Sequence, residues 1–250
     1  YRLWAAGYRD TPEERERHKH TSWWLALAIL PLLVIAHSTL GFVFGIQVGR
    51  PGWFSALQAP GFVVLAAVSG IGLLIVVAAL IRQVLGLKAQ LRQEVFRWLG
   101  NSLWIVTFIY LYFLVVELFP SIYAAHYREA IVTAALLSGR YAWLFWLSVG
   151  LLVVPSVYLF LQFVTRRYSL PLIVLAGVAV NLAAIGKRYL IVIPSQTHGT
   201  PLPYLPGSYS PTWVEYAIIL GFFALGTLLY VVFMKVFPIL EIPESAQGGT

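Results

Sequence analysis

The stretch HSTLGFVFGIQVGRPGWFSALQAPGFVVLAAVSG, His37 to Gly70, decides the fold. It holds the end of one apolar run, a short polar turn and the start of the next apolar run. The turn centres on Gly49, Arg50, Pro51, Gly52 and Trp53, and Pro60–Gly61 resets the chain. Pro and Gly mark departures from helix geometry, and tryptophan favours the membrane–water boundary. The stretch therefore reads as two membrane crossings joined by a tight turn. A histidine, His37, stands inside the first crossing, where an ionisable group is costly unless it has a partner or a task.

Composition extends this reading to the whole chain. Of 250 residues, 60% are hydrophobic and 11% charged, and mean hydropathy is +0.80. Soluble domains carry about 25% charged residues, so this protein is expected to be integral to a membrane. The net charge of +7 comes from basic residues in short loops flanking apolar runs. That placement is a topology signal rather than a nucleic-acid footprint. Cysteine is absent, which excludes disulfides, cysteine-ligated iron–sulfur clusters and c-type haem attachment within these residues.

Working outward, the pattern gives an all-α polytopic protein of about six transmembrane helices. A polar segment, 1–22, precedes a membrane domain, 23–238, and a polar tail, 239–250, follows. The spans are expected near 23–46, 62–85, 99–119, 141–164, 170–193 and 212–237, each long enough for a hydrocarbon core of about 30 Å. An amphipathic connector is expected over Arg82–Trp98 and a short helix around His126–Leu137. Pro120 is expected to close the third span, and Pro194–Pro211 is expected to be too proline-dense for helix. Residue 1 is Tyr and no signal peptide pattern precedes the first span, so the chain is expected to begin partway through a longer product. Twelve of the seventeen Lys and Arg residues fall on the side of Arg2–Lys19, Arg82–Arg97, Arg166–Arg167 and Lys235. The positive-inside rule then places both ends in the cytoplasm, the protein being a multi-pass protein of the inner (cytoplasmic) membrane.

Three segments carry a resemblance: His37 through Gly49–Trp53 to Ala59–Pro60, then Gly186-Lys187-Arg188-Tyr189-Leu190, and Tyr209-Ser210-Pro211-Thr212-Trp213-Val214-Glu215. Together they resemble the NrfD/PsrC family, the membrane subunits of polysulfide-reductase-like enzymes and of alternative complex III. The resemblance implies the C-terminal six of ten spans, that is, a second four-helix bundle plus flanking helices. It further implies exchange of electrons and protons between membrane quinone (menaquinone or ubiquinone) and an extrinsic ferredoxin-like iron–sulfur subunit, with a further catalytic subunit beyond it. Much of the family's quinone pocket lies in the first bundle, to which this chain would contribute only its first helix.

Within that frame His37 is the candidate catalytic group, because imidazole both hydrogen-bonds a quinone oxygen and moves a proton near neutral pH. Ser38, Gln47 and Arg50 are candidate quinone contacts. Gly41, one turn above His37, leaves room for a flat ligand or a neighbouring helix. Glu117, Asn181, Lys187, Arg188 and Glu215 form a second set, read as interhelical charge pairs or as a proton path. Membrane haem is not expected, since two axial ligands are needed and only His37 lies within a span. Trp53, Tyr204 and Trp213 are expected to dock an extrinsic subunit. The competing readings are a proton-translocating or transporter-like subunit, and a membrane anchor without a ligand.

Overall fold

The structure is a computed structural model, and it describes residues 12–84, 86, 88, 91–123, 127–198 and 209–236. Seven helices are found among them and no strand. They are α1 (Pro12–Gly45), α2 (Gln58–Val84), α3 (Gln93–Tyr123), α4 (Tyr127–Leu137), α5 (Ala142–Thr165), α6 (Leu170–His198) and α7 (Trp213–Val236). All but α4 are long and apolar enough to cross a membrane. The all-α polytopic reading is thus met, and the chain is a multi-pass membrane protein.

The chain divides into two compact units, Tyr1–Leu32 with Ser210–Thr250, and Leu33–Tyr209. In the second unit, α2, α3, α5 and α6 close a ring in which each packs on two neighbours. Its centre is apolar: Val68 and Ile75 from α2, Phe96 and Leu103 from α3, Leu152 and Leu159 from α5, Ile173 and Val180 from α6. The outward faces are also apolar, with Leu73, Phe108, Val154, Leu175 and Ile185 all exposed. Such an exterior has no place in water and suits lipid. In the other unit, Trp23 and Trp24 meet edge to face with ring centroids 4.8 Å apart.

Three expectations about helix ends are corrected. Pro120 does not close α3, which runs on to Tyr123, and α6 passes through Pro194 to His198. Proline removes one helical hydrogen bond. In hydrocarbon, however, abandoning the helix would leave many backbone groups unpaired, so the chain keeps its helix and accommodates the ring. Nor is Arg82–Trp98 a single connector: Arg82 belongs to the last turn of α2, and Gln93–Trp98 begin α3. The turn between α5 and α6 is made by Arg166, whose φ of 57° is left-handed. Glycine is the usual residue there, because a Cβ in that conformation costs about 1–2 kcal/mol.

Two glycines set the spacing of α2 and α6. A Cβ on Gly177 would stand 2.8 Å from the Gly72 carbonyl oxygen, and one on Gly72 would stand 2.6 Å from Val180. Where no hydrophobic effect draws helices together, close packing of this kind holds them. Gly177→Ala is therefore expected to destabilise the bundle by about 1–3 kcal/mol. Gly70→Ala, at a site with nothing within 4 Å, should be neutral or stabilising by up to about 1 kcal/mol. Thermal unfolding of the two variants in detergent checks the pair; equal melting temperatures would refute a tight α2–α6 seam.

Candidate functional site

The turn after α1 is built by its own sequence. Pro51 pre-sets the first corner, Gly52 takes φ +78°, and the Trp53 N–H donates to the Arg50 carbonyl at 3.2 Å. These are the marks of a type II turn, whose third position needs a residue free to adopt positive φ. Just before it, Gly41 and Gly45 form a small-xxx-small pair. A Cβ on Gly41 would stand 2.5 Å from Ala59 Cα, and one on Gly45 would stand 2.7 Å from the Ser55 carbonyl. Of the two uses open to Gly41, the structure takes the neighbouring helix. Phe44 completes the seam by stacking on Phe62 at 5.4 Å and meeting Trp53 edge to face at 4.7 Å.

His37 lies one turn below this seam, half-buried beside half-buried Ser38, with Leu33 and Leu40 exposed on its flank. Its Nδ1 is 2.8 Å from the Leu33 carbonyl of the same helix. A carbonyl only accepts, so Nδ1 is the donor here, and in that tautomer of imidazole Nε2 is the acceptor. Gln47 is exposed and Arg50 half-buried, both past the end of α1. His37 is eight residues short of that end, about 12 Å at 1.5 Å per residue.

The second set assembles only in part. Lys187 Nζ donates to Glu117 Oε2 at 3.2 Å, joining α6 to α3, with side chains 15% and 25% exposed respectively. Gln58, at the first turn of α2 and 4% exposed, donates through Nε2 to Glu117 Oε1 at 3.0 Å and to the Gly52 carbonyl at 3.3 Å. A cavity of about 10 Å³, room for one water, adjoins Gln58, Tyr110, Glu117 and Lys187. Asn181 instead donates back to the Gly177 carbonyl at 2.8 Å and packs where a side chain on Gly72 would go. Arg188 is exposed. Glu215, in the other unit, accepts from the Thr212 backbone N–H at 2.7 Å as the partner in a helix cap.

Trp53 is tied to its own chain. It is half-buried, and its Nε1 donates to the Ile191 carbonyl of α6 at 2.6 Å, so its indole is turned into the protein. Trp213 is exposed, and Tyr204 lies outside the described residues. Among the described residues no three His, Asp or Glu side chains gather as a metal ion would need.

Residues 13–199 match the profile of the polysulphide reductase NrfD family. The chain belongs to the NrfD family. Its relatives include a putative dimethyl sulfoxide reductase membrane subunit of Halobacterium salinarum, 31% identical over 99% of this chain and 60% of that protein. The Hdr-like menaquinol oxidoreductase integral membrane subunit of Archaeoglobus fulgidus is 30% identical over 92% of this chain and 60% of its own length. A selenate reductase subunit of Mesobacillus selenatarsenatis is 24% identical over 96% of this chain and 58% of its own length. The chain thus spans about three fifths of these relatives.

Gln58 is the site residue of this NrfD-family chain that sequence reasoning missed. Its one signal was an amide side chain two residues before Pro60, at the mouth of an otherwise apolar helix. The cap at Glu215 had a clearer sign, the Thr-x-x-Glu spacing of Thr212 and Glu215. For the ion pair, removing one partner leaves the other charged in an apolar bundle, at a cost of about 3 kcal/mol. Glu117→Gln and Lys187→Met are each expected to destabilise by that order, and the double variant to recover much of the loss. A double-mutant cycle on unfolding in detergent measures it, and additive effects would show that the two charges do not interact.

Proposed function

We propose that this chain forms part of the quinone-interacting membrane subunit of a respiratory oxidoreductase complex. In this reading it exchanges electrons and protons between membrane quinol and an extrinsic ferredoxin-like iron–sulfur subunit that serves a further catalytic subunit. The observation that carries the reading is His37, an imidazole within an apolar helix whose Nδ1 is engaged by Leu33 and whose Nε2 is left as an acceptor. Membership of the NrfD family supports it, as does the menaquinol oxidoreductase function in the name of one relative. That name favours menaquinone over ubiquinone as the quinone.

The donor set fits such a ligand. A quinol bound there supplies two electrons and two protons on oxidation. His37 Nε2 is positioned to accept a hydroxyl proton, and the Leu33 carbonyl holds the ring in the required tautomer. Ser38, half-buried beside it, offers a hydroxyl to the same group. Gln47 and Arg50, past the helix end, are assigned to the approach from the outer face. Glu117 and Lys187 have a holding role, each being committed to a partner. In this reading the chain, which spans about three fifths of its relatives' length, shares the pocket with further helices of a ten-span whole.

His37→Ala is expected to lower quinol-linked turnover by about 10²–10⁴-fold while the complex still assembles. Turnover per assembled complex is the measurement, with the catalytic partner's activity on an artificial donor as the control. Normal turnover in a well-assembled complex would reduce His37 to a packing residue.

The same reading places both ends of the chain in the cytoplasm and the complex in the inner membrane. A cysteine at Ala56, in the α1–α2 turn, is then expected to react with an impermeant thiol reagent from outside. One at Arg167, in the α5–α6 turn, should stay unlabelled until the membrane is opened, and the reverse pattern would invert the orientation.

A further inference from the structure

At the end of the bundle far from the Glu117–Lys187 pair, the start of α3 and the turn after α5 border an open cavity of about 500 Å³. Arg92, Gln93, Glu94, Arg97, Arg166 and Tyr168 line it. Three guanidinium groups face one carboxylate, and no ion pair neutralises them among the described residues. We propose that this cavity binds the phosphodiester headgroup of an anionic membrane lipid.

Several independent features bear on that assignment. The guanidinium fork matches phosphate oxygens two at a time, so arginine rather than lysine is the residue suited to this anion. Two of the three arginines are held in place by aromatic faces: Arg97 lies 5.5 Å from the Tyr168 ring centre and Arg166 lies 5.1 Å from that of Phe163. Tyr168 is itself fixed, its carbonyl accepting from Gln93 Nε2 at 3.2 Å, and its buried hydroxyl has no partner. Arg166 occupies a left-handed backbone position where glycine is the usual residue, so its side chain is present against the local backbone preference. The first turn of α3 adds the positive end of the helix dipole at the same place, offset in part by Glu94.

The surroundings choose a lipid over a soluble phosphate. On the same turns as the arginines, Val95, Trp98, Leu161 and Val164 are exposed. This apolar border continues into the outer face of the bundle, where acyl chains can lie along α3 and α5. Trp98 carries the ring type that settles at the headgroup level. A basic pocket between membrane helices, open to an apolar exterior, is the arrangement that holds an anionic headgroup.

The test is native mass spectrometry of the purified membrane complex, titrated separately with short-chain phosphatidylglycerol, phosphatidylcholine and inorganic phosphate. Wild type is expected to retain phosphatidylglycerol but not phosphatidylcholine, and inorganic phosphate should not displace it. The double variant Arg97→Gln/Arg166→Gln should weaken retention about tenfold or more. Arg166→Gly is the second variant, because it removes a guanidinium while suiting the left-handed backbone. It should keep or raise thermal stability and still lose lipid, and it decides the matter if the double variant fails to assemble. Equal retention by wild type and variants overturns the proposal, as does equal retention of phosphatidylcholine. Displacement by inorganic phosphate overturns the lipid assignment in favour of a free anion. Recovery of an acidic peptide from a partner subunit at Arg97, in place of lipid, overturns it also.

Discussion

A carboxylate and an ammonium group inside an apolar bundle are tolerable only together, and the contact between Glu117 and Lys187 organises the end of this bundle at which it sits. It fixes α3 against α6 at one depth. Gln58 then extends the contact to a third helix and to the turn before it, giving one amide hydrogen to Glu117 and the other to the Gly52 carbonyl. The turn presents that carbonyl only because Gly52 accepts a positive φ. A local backbone property thus determines whether the half-buried carboxylate is fully satisfied. The cost of failure is high, since an unpaired charge in low dielectric has no water to turn to.

The seams that bring these groups into reach are made of residues with almost no chemistry. Gly41 and Gly45 let the end of α1 touch the start of α2, and Gly72 and Gly177 let α2 touch α6. Position along each helix axis is thereby set to within the tolerance of a backbone contact. Side chains such as Asn181 fill what the glycines leave, returning their polar atoms to their own helix. The bundle consequently uses polarity sparingly in its interior, and where a polar group stands on a half-buried flank, as at His37, its orientation is set by a neighbouring carbonyl.

Much of this was legible in the sequence, because the membrane imposes coarse rules. The six apolar segments, the turn at Pro51–Gly52 and the single histidine of the first apolar run all follow from composition and punctuation. The ends of α3 and α6 did not, since Pro120 and Pro194 stop helices in water but not where the backbone must pair with itself. Lys187, rather than Arg188, meets Glu117 because it continues the buried stripe of Ile173, Ala176, Val180, Ala183 and Leu190. Gln58 was illegible because an amide becomes informative only when its two partners, 6 and 59 residues away, are known.

Pro194 has a mechanical side. Lacking an N–H, it leaves the last turn of α6 joined to the rest of the helix by fewer hydrogen bonds. Just before it, the Ile191 carbonyl accepts from the indole N–H of Trp53. The indole thus holds α6 on the bundle side of Pro194 and leaves residues 195–198 beyond the proline untouched by this contact. That hold lies about one turn of helix from Lys187, so the α1–α2 turn and the ion pair are anchored on neighbouring turns of the same helix.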